Sequence, residues 1–221
     1  TFDTSGCTAP AGPVCGDGVI TGTETCDQGS GNVADGDGCS ASCQVETPGW
    51  SCTGTPSVCA TVLFQYLASS TSPLSDGWTG GVCGSGSCGG SASNYILSVN
   101  TPNPCGIDSS CGSYYMTTQR NWAAYKQIST LGYKNIILTY YRRSQDASGS
   151  DLIKIEYSID SGNTWLSVES IGSTNSWAKN TFPLPASAEN LADIKIRFWL
   201  SSNDNAHLGL FDSVNITAQK R

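Results

Sequence analysis

The sequence predicts a mainly β protein in two parts, a small disulfide-rich N-terminal module followed by an antiparallel jelly-roll β-sandwich. Three observations carry that reading. Charged residues make up only 13% of the 221, and Ser, Thr, Gly and Asn take their place, a composition typical of secreted β proteins and poor for long helices. Seven of the eleven cysteines fall before residue 60, among turn residues and too few apolar side chains to make a core. Beyond "ATVLFQYL", which starts at Ala60, apolar and polar residues alternate in short runs separated by turn signals. The expected parts are an N-terminal arm over 1–14, a cysteine-rich module over 15–59 and a sandwich over 60–221.

The sandwich strands follow from parity. "DLIKIEYSID" puts Ile153, Ile155, Tyr157 and Ile159 on one face and Lys154, Glu156 and Ser158 on the other. "DIKIRFWLSS" sets Ile194, Ile196, Phe198 and Leu200 against Lys195, Arg197 and Trp199. "NYILSVN", "SYYMTTQ", "NIILTYYRRS", "TWLSVESIG", "WAKNTFPLP" and "LGLFDSVNIT" add further strands, with "DASGSD", "DSGN", "GSTNS" and "SNDN" as turns. Only "SAENLADI" has room for a short helical turn. Many short strands, one polar face each and no helical period predict the jelly-roll class. Between Ser69 and Gly112 the chain is rich in Gly and Ser and holds Cys83, Cys88, Cys105 and Cys111. Two bridges there, such as 83–88 and 105–111, would staple long loops, although sequence does not fix the pairing.

Charge is unevenly spread. Residues 1–59 carry seven acids and no base, whereas the remaining 162 carry 11 of each, so the net charge of −7 lies in the head. Such a head repels nucleic acid and anionic lipid and attracts cations. The cysteines are not spaced as zinc ligands: no CxxC pair occurs and His207 is the sole histidine. No apolar run approaches the ~20 residues of a membrane span. A disulfide-bearing chain without a leader reads as the mature form of an exported protein, secreted or at the cell surface. Lys220-Arg221 is a dibasic pair of the kind cut by processing proteases.

The stretch "CGDGVITGTETCD…DGDGCSASCQVETPGWSC", from Cys15 to Cys52 and on to Cys59, resembles a cysteine-rich repeat of extracellular proteins, abundant in myxobacterial and protist surface proteins. Gln28 and Ser30 depart from the Asp and Asn usual in that repeat. The resemblance implies an extracellular module with three disulfides among Cys15, Cys26, Cys39, Cys43, Cys52 and Cys59, and no catalytic activity. Its acids, Asp17, Glu24, Asp27, Asp35 and Asp37, recur between crosslinked cysteines. Hard oxygen ligands on a short, fixed frame suit a structural Ca²⁺ rather than zinc. An EF-hand is excluded, since counting from Asp35 puts Cys39 at the fifth ligand position. The competing reading is that Asp-Gly pairs simply form turns. Six cysteines in the module and four in the sandwich leave Cys7 over, a candidate for an intermolecular bridge.

In the sandwich, "SIDSGNTW" matches the Asp-box pattern at Ser158, Asp160, Gly162 and Trp165. It predicts a hairpin in which Asp160 accepts turn N–H groups, Gly162 takes a positive φ and Trp165 packs back over the loop. A single box is a fold-stabilising turn rather than a catalytic site, and it resembles the sub-repeats of reelin-like extracellular proteins. From about 140 to 217 the pattern resembles galactose-binding-like and MAM-like sandwiches, a likeness of fold that says little about ligand. Parity in "LGLFDSVNIT" places Leu208, Leu210, Val214 and Ile216 toward the core, and Asp212 with them. An inward carboxylate needs a partner, either a second Ca²⁺ shared with Asp76, a backbone or Arg donor, or a bulge that turns it outward. Asn215 opens the only N-x-S/T sequon and is the expected glycosylation site. Trp78, Trp122 and Trp199 are the aromatics to test for exposure.

No nucleophile set or acid pair is recognisable, so the expected function is not enzymatic. The leading expectation is a secreted or cell-surface structural or adhesive protein, Ca²⁺-stabilised and self-associating into filaments or similar homo-oligomers through the arm and Cys7. The alternative is a lectin-like carbohydrate-binding module, which requires exposed aromatics beside polar groups on a loop end or sheet face.

Overall fold

The computed structural model describes residues 13–29, 34–66, 77–83, 88–89, 96–100, 114–119, 121–147, 149–204 and 206–221. Cys7, Asp76, Cys105 and Cys111 lie outside the described residues. The chain divides into two compact units, Thr1–Thr61 with Gln219–Arg221, and Val62–Ala218.

The first unit is built on crosslinks. Its regular structure is an antiparallel pairing of β1 (Trp50–Thr53) with the start of β2 (Val58–Tyr66), in which Cys52 stands opposite Cys59. Disulfides join Cys15 to Cys43, Cys26 to Cys39 and Cys52 to Cys59. The second closes a loop inside the first. Cys26, Cys39, Cys43 and Cys59 are themselves the buried core, with Val45 and Trp50 against them. Gly38, at φ +110°, passes so close to Trp50 and Cys59 that a Cβ would sit 2.6 Å and 2.5 Å from their atoms. Only glycine fits both that backbone angle and that space.

The second unit is a two-sheet sandwich. After β2 come β3 (Thr79–Cys83), β4 (Cys88–Gly89), β5 (Ile96–Asn100), β6 (Tyr114–Gln119), β7 (Trp122–Ile128) and β8 (Tyr133–Gln145). Then follow β9 (Leu152–Ser158), β10 (Leu166–Gly172), β11 (Ala178–Pro183), β12 (Ile194–Ser201) and β13 (Leu208–Lys220). One sheet runs β2-β13-β6-β5, with β8 on β13 and β11 on β8; the other has six strands in the order β10-β9-β12-β7-β3-β4. The strand pairs described in these sheets run antiparallel. The single helical element among the described residues is a 3₁₀ turn at Ala186–Ala188, which overlaps only the first two residues of "SAENLADI".

Strand parity builds the interior. Ile153, Ile155 and Tyr157 of β9 meet Ile194, Ile196, Phe198 and Leu200 of β12 in one buried cluster, joined from the other sheet by Ile136, Leu138 and Tyr140 of β8. Phe198 is its aromatic centre, edge-to-face with Trp78 at 5.7 Å, Tyr140 at 5.5 Å and Phe211 at 5.2 Å. Ile159 departs from the predicted face: β9 ends at Ser158, and Ile159 stands exposed in the turn.

β13 departs from simple alternation. Phe211, Val214, Ile216 and Ala218 share the main core, whereas Leu210 is buried outside that cluster. Two residues separate Phe211 from Val214 instead of one, and Ser213 between them has φ +47°. That left-handed residue lets the strand insert an extra position, so parity counted from Leu208 fails there. Asp212, fully buried at the break, accepts the Ser213 N–H at 2.5 Å through Oδ1.

Candidate functional site

The carboxylates of the first unit are turn acceptors. Asp27 is buried, and its Oδ2 accepts the N–H of Gly16 at 2.8 Å while Oδ1 accepts those of Gly18 at 3.0 Å and Gly29 at 2.8 Å. Burial raises its pKa, but the hydrogen bonds from Gly29, Gly16 and Gly18 outweigh that and hold the carboxyl below its ordinary range. Asp17 accepts from Val19, Glu24 from Thr21, Asp35 from Ala41 and Asp37 from Cys39. Glu46, which sequence reading passed over, bridges the N–H groups of Gly36 and Gly38 with its two oxygens. Among the described residues, one group of three metal-ligand types lies within 4.8 Å: Glu24, Asp27 and Cys43. Cys43 is committed to its bridge with Cys15.

The Asp-box turn is closed by its own side chains. Asp160 accepts the Thr164 N–H at 2.8 Å and the Thr164 hydroxyl at 2.6 Å, and Ser158 donates to it at 2.7 Å. These bonds, Thr164's first, hold the Asp160 pKa down to about 2. Ser161 and Gly162 both take positive φ, +61° and +95°. Trp165 lies with its ring 4.0 Å from the Arg197 guanidinium on the outward face of the six-stranded sheet. Arg197 donates to Glu156 Oε2 at 2.6 Å, and Trp199 Nε1 donates to the same oxygen at 2.7 Å. This face is thus a largely satisfied network. Trp199 and Trp78 are buried, and Trp122 packs against the core, so none of the three aromatics singled out from sequence is an open platform.

His207 sits in a loop cluster. Its Nδ1 is 2.7 Å from Asp151 Oδ2 and 3.2 Å from Ser202 Oγ, and its Nε2 is 3.7 Å from Asp204. Ser202 and Asp151 share Nδ1, whereas a nucleophilic serine and its orienting acid sit on opposite nitrogens of the histidine base, and Asp204 at 3.7 Å from Nε2 is beyond hydrogen-bond distance. The backbone sets Cys83 opposite Cys88 in the β3–β4 pairing. Asn215 is half-buried, with its amide oxygen sealed and unpaired.

A different face has an unfinished polar group. β8 and β11 pair with Tyr141 opposite Lys179 and Thr139 opposite Thr181. Ile136, Leu138 and Tyr140 point into the core, so Thr139, Tyr141 and Arg143 point outward. Arg142 turns inward, and its guanidinium meets Glu169 of β10 in the opposite sheet, Nη2 to Oε1 at 2.5 Å and Nε to Oε2 at 2.9 Å. Tyr140 donates to Oε2 at 2.8 Å. Burial works against the Glu169 charge, yet Arg142 and then Tyr140 outweigh it and hold its carboxyl below the usual range. Burial and the Glu169 charge push the Tyr140 phenol far up. A bulge at Val168, between Ser167 and Glu169, puts Glu169 on the inner side.

Arg143 has no such partner. Its guanidinium lies 5.9 Å from the half-buried Trp177 ring, and its Nε is sealed from solvent with no hydrogen bond. Lys179, exposed on the edge strand β11, has its ammonium 5.3 Å from the Tyr141 ring. Thr139 and Thr181 exchange a hydroxyl hydrogen bond at 3.3 Å. Neither β8 nor β11 carries a carboxylate. Tyr141, though outward by parity, is 1% exposed, so the face offers the half-buried Trp177 ring, the Thr139 and Thr181 hydroxyls, Lys179 and Arg143, the last without an ion pair among the described residues.

No family model and no curated protein matches the sequence. Solved structures do resemble the fold. They include a domain described as xylan-binding, CBM22-1 of Paenibacillus barcinonensis Xyn10C, with TM-score 0.46 and 14% identity, covering 73% of this chain and 97% of that one. The module TmCBM61, solved with β-1,4-galactotriose, gives TM-score 0.43 and 16% identity over 63% of this chain and 86% of that one. The K3 cleaved adhesin domain of Lys-gingipain from Porphyromonas gingivalis gives 0.46 and 16% over 72% and 98%.

Arg143, Trp177 and Lys179 were not found by sequence reading. The signal was the pair "RR" within a strand: adjacent strand residues face opposite ways, so one arginine had to point inward and find an acid. Which one, and that the other was left unpaired, required the cross-sheet position of Glu169.

Proposed function

We propose that the sandwich is a carbohydrate-binding module of an extracellular protein, and that the outward face of β8 and β11 is its ligand platform. The observation that supports this most directly is Trp177 beside Arg143, an indole with polar neighbours on a sheet face. A pyranose ring presents C–H groups to an aromatic face and hydroxyls to its surroundings, and Thr139, Thr181 and Arg143 supply polar partners at the rim. The role is binding rather than turnover, because glycoside hydrolysis needs two carboxylates across the scissile bond and β8 and β11 carry none. Three disulfides in the first unit fit an oxidising, extracellular setting. The self-assembling structural role rests on Cys7, outside the described residues, and has less to support it.

The test is a glycan array on the full chain, followed by affinity electrophoresis of the wild type and Trp177→Ala in whichever polysaccharide is retained. Retardation by at least one glycan, lost in the variant with its thermal melt unchanged, supports the platform. No retention on any glycan of the array removes the reading.

A further inference from the structure

We infer that the platform on β8 and β11 selects acidic glycans, those bearing uronate carboxylates or sulfates, through Arg143. The inference rests on the carbohydrate-binding reading above and narrows its ligand class.

Two adjacent arginines occupy opposite environments. Arg142 has its charge matched by a carboxylate inside the sandwich. Arg143 has its guanidinium 5.9 Å from the Trp177 ring centroid, at the outer edge of cation–π range, a buried unpaired Nε, and no ion pair among the described residues. Nε itself is sealed, so an incoming anion would meet the accessible part of this half-buried side chain, whose charge is offset by no acid among the described residues. A guanidinium offers a planar fork of N–H groups that matches carboxylate and sulfate oxygens two at a time. The Trp177 ring lies beside that fork and offers a flat apolar surface next to the charge.

The surroundings favour the same ligand. Lys179 adds a second positive charge on the adjoining edge strand, across from Tyr141. The nearest carboxylate along β8 is Asp146, just past its end, which accepts a hydrogen bond from Gln145 at 3.3 Å. The sandwich and its termini carry as many acids as bases, so this cationic surface reflects local placement rather than overall charge. A neutral sugar would leave the Arg143 charge uncompensated. A uronate or sulfate stacked on Trp177 would place its anion beside it.

The experiment uses the full chain and matched polymers: polygalacturonate, the same backbone fully methyl-esterified, alginate, chondroitin sulfate and neutral xylan. Affinity is measured by calorimetry at low and at high salt. The expected result is binding to one or more of the acidic polymers, weakened by salt. Arg143→Gln should lower that affinity about tenfold or more, Arg143→Lys less, and Lys134→Gln, at an exposed strand end, not at all. For polygalacturonate, esterification should abolish binding. Equal affinity for acidic and neutral polymers, or binding to xylan alone, overturns the acidic preference and leaves the carbohydrate reading standing. Acidic binding that Arg143→Gln does not change, with the variant folded by its melt, overturns the assignment to this face. Failure to bind any of the five, together with an empty glycan array, overturns both.

Discussion

Arg142 on β8 reaches Glu169 on β10 across the interior of the sandwich, with Nη2 2.5 Å from Oε1. The pair ties the two sheets together, and Tyr140 completes it from the same strand as Arg142. Breaking such a pair leaves a buried guanidinium without its counter-charge. Glu169→Ala should therefore destabilise the sandwich by about 3 kcal/mol, within the range seen when one partner of a buried pair is removed. Replacing Arg142 and Glu169 together by apolar residues should cost less than either single change. Chemical denaturation of the three variants reads this directly; a double variant worse than both singles would argue against an energetic pair.

Acid should weaken the fold through the Asp-box. The Asp160 pKa falls from 3.8 to about 2 because Thr164 and Ser158 bond its charged form. A depressed carboxylate contributes stability that is complete above its unfolded pKa and lost as pH falls through the folded value. The contribution is thus present above about pH 4 and fades toward pH 2. Asp160→Asn should flatten the stability profile across that window and leave its slope at neutral pH unchanged. Urea melts at several pH values for both proteins measure it.

Phe198 of β12 joins β8, β13 and the residue just before β3 through ring contacts with Tyr140, Phe211 and Trp78. Truncation to alanine removes those contacts and leaves a cavity that a sandwich with strands on both sides cannot collapse around. A loss of about 3–5 kcal/mol is expected. The aromatic near-ultraviolet circular dichroism should fall with it, whereas Leu131→Ala, at an exposed position, should change neither.

Asp27 is the polar counterpart of Phe198 in the first unit. Its two oxygens hold three glycine N–H groups, so Asp27→Asn, which keeps only one acceptor oxygen, should lower the melting temperature of that unit. Because those N–H groups already satisfy the carboxylate, the same melting temperature is expected in calcium and in EGTA. A rise on adding calcium would instead support a metal role for Asp27 and its neighbour Glu24.

Much of the architecture was legible because strand parity is a local property. Ile153, Ile155, Ile194, Ile196 and Phe198 declare their face by alternation alone, and all of them reach the core. Parity gave the burial of Asp212 but failed at Leu210, where Phe211 takes the core position because Ser213 adopts a left-handed angle, and nothing in "LGLFDSVNIT" signals that. Exposure was not legible either. Trp199 sits on the outward face by parity and is still buried, with Arg197 and Lys154 beside it. The turn role of the acids was visible as an alternative to metal binding, but the glycine N–H groups that Asp27 gathers come from Gly16, Gly18 and Gly29, brought together by chain folding.

By itself the sequence determined the division into a crosslinked head and a β body, the sandwich class, and the Asp-box turn. Each follows from composition or from a period of two, and needs no partner distant in the chain. The tertiary structure decided which cysteines join, and that Arg142 is neutralised while Arg143 is not. Those outcomes depend on which residue of a remote strand stands opposite. Glu169 can reach only one face of β8, and the arginine on the other face has no acid partner among the described residues.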